Sequence, residues 1–163
     1  MKKYKVAILG ATGAVGREMM KVLAERDFPI EELHPLASAR SVGQAIHWKG
    51  HDLPVEMACD EAFKGMDIVL GAAENDIAKQ FAPAIVKSGA VFVDNSSAFR
   101  MDPDVPLIVP EINPEDVKRH KGIISNPNCT TIQMVVALQA IERVSHIRRV
   151  HVATYQSASG AGA

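Results

Sequence analysis

The chain has 163 residues, 47% hydrophobic and 23% charged, with 18 Lys+Arg against 19 Asp+Glu and a formal net charge of −1. That length suits one domain rather than two complete ones, and the apolar content argues against disorder. Balanced charge removes the electrostatic basis for a nucleic-acid or acidic-membrane partner, and no apolar run is long enough for a membrane-crossing helix.

The opening "MKKYKVAILG" has a basic start, but glycines and Arg17 soon break its apolar run, so no signal peptide is read. "YKVAILG" instead predicts a buried strand, and "VGREMMKVLAERD" a helix with Val15, Met19, Val22 and Leu23 on one stripe. A second strand is predicted in "ELHPLAS", then a small hairpin in "QAIHWKGHDLPVEMA" around Lys49-Gly50. "DIVLGAA" reads as strand, "DIAKQFAPAIVKSG" as helix ending at Gly89, and "AVFVDNSS" as strand again. After a loop from Met101 to Pro106 come predicted strands "PLIVPEI" and "GIISN", a helix "TTIQMVVALQAIERV" and a last strand "IRRVHVATYQ". Strands alternating with helices predict βαβ units and a parallel sheet. Runs such as Val91-Phe92-Val93, apolar on both faces, imply helices covering both sides. Two cysteines, Cys59 and Cys129, are too few for a disulfide framework and point to a reducing, cytoplasmic setting. The final "QSASGAGA" stops on small residues directly after a strand pattern, so the chain reads as truncated.

Three features carry chemistry. The first strand ends in Gly10-Ala11-Thr12-Gly13-Ala14-Val15-Gly16, which opens the first helix. Glycines at such a turn let a pyrophosphate approach the backbone N–H groups of a helix N-terminus. The spacing G-x-x-G-x-x-G differs from the dinucleotide fingerprint, so tight packing is the competing reading. After the second strand an NAD enzyme would carry an acid for the ribose 2′-hydroxyl. Here Ser38-Ala39-Arg40-Ser41 offers an arginine and two hydroxyls, which suit the 2′-phosphate of NADP, or Arg40 is a solvated surface residue. Third, Cys129 follows Ser125-Asn126-Pro127-Asn128, where a strand gives way to a helix. A thiol at a helix N-terminus fits a nucleophile; a small buried hydrophobe is its other reading. Cys59, among acidic neighbours, lacks that setting.

With these residues in place the chain resembles the aspartate-β-semialdehyde dehydrogenases over essentially its whole length. "ILGATGAVG", "SARSVG", "DNSSAFRMDPDVPLIVPEIN", "NPNCTTIQM" and "TYQSASGAG" carry the resemblance. It is less similar to glyceraldehyde-3-phosphate and N-acetylglutamyl-phosphate enzymes, whose cysteines have other neighbours. The resemblance implies a Rossmann-like doubly wound α/β domain over residues 1–128 and the first helix and strand of an incomplete catalytic and dimerisation domain over 129–163. It implies NADPH-dependent reduction of L-aspartyl 4-phosphate to L-aspartate 4-semialdehyde and phosphate, in lysine, threonine and methionine synthesis, by a homodimer or homotetramer when complete. Cys129 would form an acyl thioester, Arg100 would bind the substrate phosphate, Asn128 would position that group and Gln156 would contact substrate. Gly10, Thr12, Gly13, Ala14, Val15 and Gly16 would line the pyrophosphate turn. Ser38, Arg40 and Ser41 would hold the 2′-phosphate, and Ser159 and Gly160 would approach the nicotinamide. No metal is expected. The chain departs from the family in "GAAENDIAKQFAP", where Glu74 and Asp76 put carboxylates near a phosphate-rich cofactor. The resemblance also implies that the acid–base histidine and a second substrate arginine lie outside these residues, since His34, His47, His51, His120, His146 and His151 match no such motif. The alternative is a non-catalytic NADP-binding module, or a dehydrogenase using NAD on another substrate.

Overall fold

In β1 (Tyr4–Leu9) extended backbone sends successive side chains to opposite faces, so Val6 and Ile8 enter one hydrophobic cluster and Ala7 and Leu9 another. The computed structural model describes residues 2–155. The strands that follow are β2 (Ile30–Ala37), β3 (Ala45–Trp48), β4 (His51–Pro54), β5 (Glu56–Met57), β6 (Ile68–Gly71), β7 (Val91–Asp94) and β8 (Ile123–Ser125). Six of them form one sheet in the order β5-β2-β1-β6-β7-β8, with every pairing parallel. The expected Rossmann-like, doubly wound arrangement is therefore present. β3 and β4 form the expected hairpin, whose Trp48 donates to the Met20 carbonyl at 2.9 Å.

Helices α1 (Ala14–Glu25) and α2 (Asn75–Lys87) cover opposite faces. α2 presents Ala78, Phe81, Ala82 and Ile85 to the face of Ala7, Leu9 and Phe92, where Phe63 and Phe81 meet edge to face with centroids 5.5 Å apart. Each such fully buried large side chain stabilises the fold by about 1.5–3 kcal/mol. The stripe predicted for α1 is rotated in the structure: Gly16 and Met20 are buried, Met19 and Leu23 flank them, and Val15 and Val22 stand exposed at the rim. A glycine pressed against the preceding turn turns that face inward, which an apolar count does not register.

Two expected strands are absent. Within "PLIVPEI" only Leu107 makes a bridge, to Ser125. Pro106 and Pro110 cannot donate to a ladder, and Asn113 curls the segment by accepting from the Val109 amide and donating to the Leu107 carbonyl. Residues 147–155 form no strand, because none of the described strands pairs with them. Between these segments α3 (Cys129–Glu142) forms as expected but, among the described residues, buries none of its apolar side chains. No helix among the described residues is long and apolar enough to cross a membrane.

Candidate active site and dinucleotide cleft

The sheet reverses its winding at β1, with β2 on one side and β6 on the other, so a crevice opens above their carboxyl ends. Gly10 stands there with φ +89°, and a Cβ on it would lie 2.7 Å from the Ala72 carbonyl oxygen. A Cβ on Gly16 would strike the Gly10 carbonyl and lie 2.7 Å from the Ala11 Cα. Both glycines are thus demanded by the fold. Gly13 is not: its φ is −73°, and a Cβ would meet nothing nearer than the Gly10 carbonyl oxygen at 3.5 Å. Its bare surface faces outward from the N-cap of α1. A helix leaves its first amides unpaired, and no side chain of the described residues caps those of α1, nor is any residue of its first turn acidic. The arrangement is a positive, uncapped helix end with a smooth approach, which suits a diphosphate.

The turn lines a cleft of about 610 Å³. Gly10, Thr12, Gly13, Ala14 and Val15 form one wall, and Ala37, Ser38 and Arg40 stand at the end of β2. Ala58, Ala73, Ile77 and Phe81 supply a far apolar wall with the Gln80 amide beside it. Arg40 is exposed in a short 3-10 turn (Ala39–Ser41), and no ion pair engages it among the described residues. Ser41 closes that turn through its amide, 2.9 Å from the Ser38 carbonyl oxygen, and is not part of the lining. Gly16 lies beneath the turn, buried.

A second group gathers at the carboxyl ends of β7 and β8. Phe99 packs edge to face on the buried Phe92, and the next residue, Arg100, donates from Nε to the Asn126 carbonyl at 2.8 Å and from Nη2 to the Asn95 carbonyl at 3.0 Å. The guanidinium thereby ties the two strand-end loops together and keeps other donors for an anion. Asn128 caps α3, its Oδ1 accepting from the Thr130 amide at 3.0 Å and from the Thr130 hydroxyl. Cys129, the first residue of α3, is exposed, whereas Cys59 is half-buried. Within the described residues, then, Cys129 is not buried.

Beneath this group Asp94 is fully buried, its carboxylate accepting from the Ser96 hydroxyl at 2.6 Å and the Ser96 amide at 3.1 Å. Burial raises its pKa above the ordinary aspartate value, opposed by the two Ser96 bonds and the Arg100 charge. A carboxyl whose folded pKa is raised contributes stability that is fully present below its unfolded pKa and is lost as pH rises through the folded one. Asp94→Asn is therefore expected to gain in melting temperature relative to the parent as pH rises from about 3 to about 7, at roughly 2–4 °C per kcal/mol of linkage. Parallel pH curves for the two proteins in thermal denaturation would refute that.

The structure thus assembles most of the expected cofactor residues in one cleft and sets Arg100, Asn128 and Cys129 on neighbouring strand ends of the same sheet edge. Gln156, Ser159 and Gly160 lie outside the described residues. The apolar wall of Ala58, Ala73, Ile77 and Phe81 went unpredicted; its signal is Ile77, apolar yet 38% exposed on α2. The Asp94–Ser96 contact was missed too, although polar residues directly after a buried strand mark it. No His/Cys/Asp/Glu group suited to a metal occurs among the described residues.

The family model described as semialdehyde dehydrogenase, NAD binding domain, matches residues 5–120. An aspartate-semialdehyde dehydrogenase from Synechocystis is 57% identical over 159 residues, covering 98% of this chain and 47% of the relative. The crystal structure of aspartate semialdehyde dehydrogenase II from Vibrio cholerae superposes with a TM-score of 0.93 at 45% identity, covering 98% of this chain and 48% of that one. The Candida albicans aspartate semialdehyde dehydrogenase, solved with NADP, gives a TM-score of 0.72 at 26% identity, with coverages of 88% and 48%. The chain spans about half the length of the curated relatives it matches.

Proposed function

Because the chain belongs to the semialdehyde dehydrogenase family, we propose that it supplies the NADP-binding and cysteine-bearing part of an aspartate-semialdehyde dehydrogenase. The reaction is reduction of L-aspartyl 4-phosphate to L-aspartate 4-semialdehyde and phosphate. One observation carries this reading: Cys129 is exposed at the start of α3, which follows β8 on the carboxyl-terminal side of the parallel sheet, the side on which the glycine turn follows β1.

The bare Gly13 and the uncapped end of α1 fit a dinucleotide diphosphate, and the Candida relative's NADP supports the choice of nucleotide. Gly10 and Thr12 to Val15 would form the cradle over the buried Gly16, and Ser38 and Arg40 would hold the 2′-phosphate, with Ser41 closing the turn that presents them. When bound, NADPH supplies the hydride that brings the acyl group to the aldehyde level. Cys129 supplies the nucleophile: its thiolate forms a C–S bond with the acyl carbon as the C–O bond to phosphate breaks, and phosphate leaves with that electron pair. Arg100, held by two backbone carbonyls, offers its remaining donors to the departing phosphate. Asn128 fixes the start of α3, and motif resemblance assigns Gln156 to substrate and Ser159 and Gly160 to the nicotinamide end. Residues 1–128 are the NADP domain, and 129–163 open the catalytic one. The complete enzyme would be a cytoplasmic homodimer or homotetramer of lysine, threonine and methionine synthesis. Taken by themselves these 163 residues would bind NADP weakly and turn over negligibly, because the resemblance assigns the acid–base histidine and a second substrate arginine to none of them.

Acylation by phosphate departure needs no proton donor, so it tests the chain by itself. Incubation with L-aspartyl 4-phosphate is expected to place an aspartyl adduct on the Cys129 peptide, seen by mass spectrometry and absent from Cys129→Ser. No adduct, or one on Cys59, would reject Cys129 as nucleophile.

A further inference from the structure

Glu74 lines the same cleft as the glycine turn and Arg40, and it has no task in the fold. It holds the N-cap position of α2, yet its side chain caps nothing, and no ion pair engages it among the described residues. Its backbone is fixed from both sides. Ala72 runs directly against Gly10, and Asn75 is locked to Ser97, its Oδ1 accepting from the Ser97 amide at 2.9 Å and its Nδ2 donating to the Ser97 hydroxyl at 2.8 Å. Asp76, the other acid of this turn, is not part of the lining.

A glycine turn at an uncapped helix end attracts any polyphosphate. Attraction at the turn is common to a dinucleotide and a nucleoside triphosphate, and a repulsive element is one of the two ways to tell them apart. We infer that Glu74 is that element, a charge filter that admits a dinucleotide whose extra phosphate lies on the Arg40 side and rejects ligands that concentrate charge at the glycine turn. This rests on the dinucleotide reading above and names what its site excludes. NADP carries two of its phosphates in the diphosphate and places the third on the adenosine ribose, within the province of Arg40. ATP and inorganic tripolyphosphate instead stack three phosphates in line, which concentrates their charge in the cleft that Glu74 lines beside the glycine turn.

The test is calorimetric titration of the chain and of Glu74→Gln with NADP, ATP and tripolyphosphate in low salt. Removing the charge is expected to tighten ATP and tripolyphosphate about tenfold and NADP about threefold or less. In about 1 M NaCl, where screening acts within roughly 3 Å, the difference between the proteins is expected to vanish. A Glu74→Ser variant, which removes the charge and adds a capping side chain where Glu74 supplies none, is expected to repeat the result and excludes an effect of α2 fraying. Unchanged ATP and tripolyphosphate constants overturn the filter, as does weaker NADP binding by Glu74→Gln, which would make the carboxylate a ligand group. If neither protein binds NADP, the dinucleotide reading falls and the filter with it; equal binding of every ligand by both removes the filter alone.

Discussion

Gly16→Ala and Gly10→Ala are expected to destabilise the chain by about 3 kcal/mol or more, while Gly13→Ala changes stability by no more than about 1 kcal/mol and loses the dinucleotide. The three glycines look alike in sequence, but the structure separates them. At Gly10 an alanine would have to adopt φ +89° with its Cβ 2.7 Å from a backbone oxygen that cannot swing aside. At Gly16 the backbone angle is ordinary, but the added methyl would occupy the space of the Gly10 carbonyl, through which α1 packs on the turn. Relief requires lifting the helix from Met20's face of the sheet, at the cost of core contacts. At Gly13 the methyl would meet only ordinary van der Waals contact, at 3.5 Å, and would project into the path of a diphosphate approaching the α1 amides. Thermal melting is expected to show losses of roughly 6–12 °C for the first two variants and little for the third. NADP titration is expected to show at least about a tenfold loss for Gly13→Ala. A Gly13→Ala protein that binds like the parent would mean that the diphosphate does not cross this position.

Much of this was legible in the chain. Alternation of short apolar runs with amphipathic stretches yields the parallel sheet, because buried strands and one-faced helices leave different periodicities. The glycine turn was equally visible, since few residues tolerate such backbone. What sequence could not supply is contact between distant segments. Arg100 reads as an anion-binding arginine, but the structure adds that Nε and Nη2 are committed to the carbonyls of Asn126 and Asn95, one of them 26 residues away. The strand patterns over 106–112 and 147–155 failed for a related reason. Apolar alternation states a capacity to pair and names no partner: prolines and the Asn113 turn deny a regular ladder to the first segment, and no described strand pairs with the second. α3 is apolar on all sides, so its pattern correctly gave a helix and could not say which face is covered.

Arg40→Ala is expected to weaken NADP binding by about 10- to 100-fold and NAD binding by less than about threefold. The end of β2 decides this. Where a ribose-reading acid would stand in an NAD site, the chain has Ala37, Ser38 and then Arg40, all lining the cleft. A guanidinium donating to a phosphate dianion is worth about 1.5–3 kcal/mol per charge-assisted hydrogen bond, and each 1.4 kcal/mol is tenfold in affinity. NAD has a hydroxyl in that place and gains nothing comparable from a cation. Arg40 is exposed, and neither its short 3-10 turn nor an ion pair among the described residues engages its side chain, so its removal is expected to leave the melting temperature unchanged. That separation makes the comparison clean, because a loss of NADP affinity cannot then be a loss of fold. Titration of both nucleotides against the parent and the variant reads the ratio directly. Equal weakening of the two would place Arg40 on the diphosphate they share, and an unchanged ratio with unchanged affinities would return it to the solvent-facing role that a lone surface arginine ordinarily has.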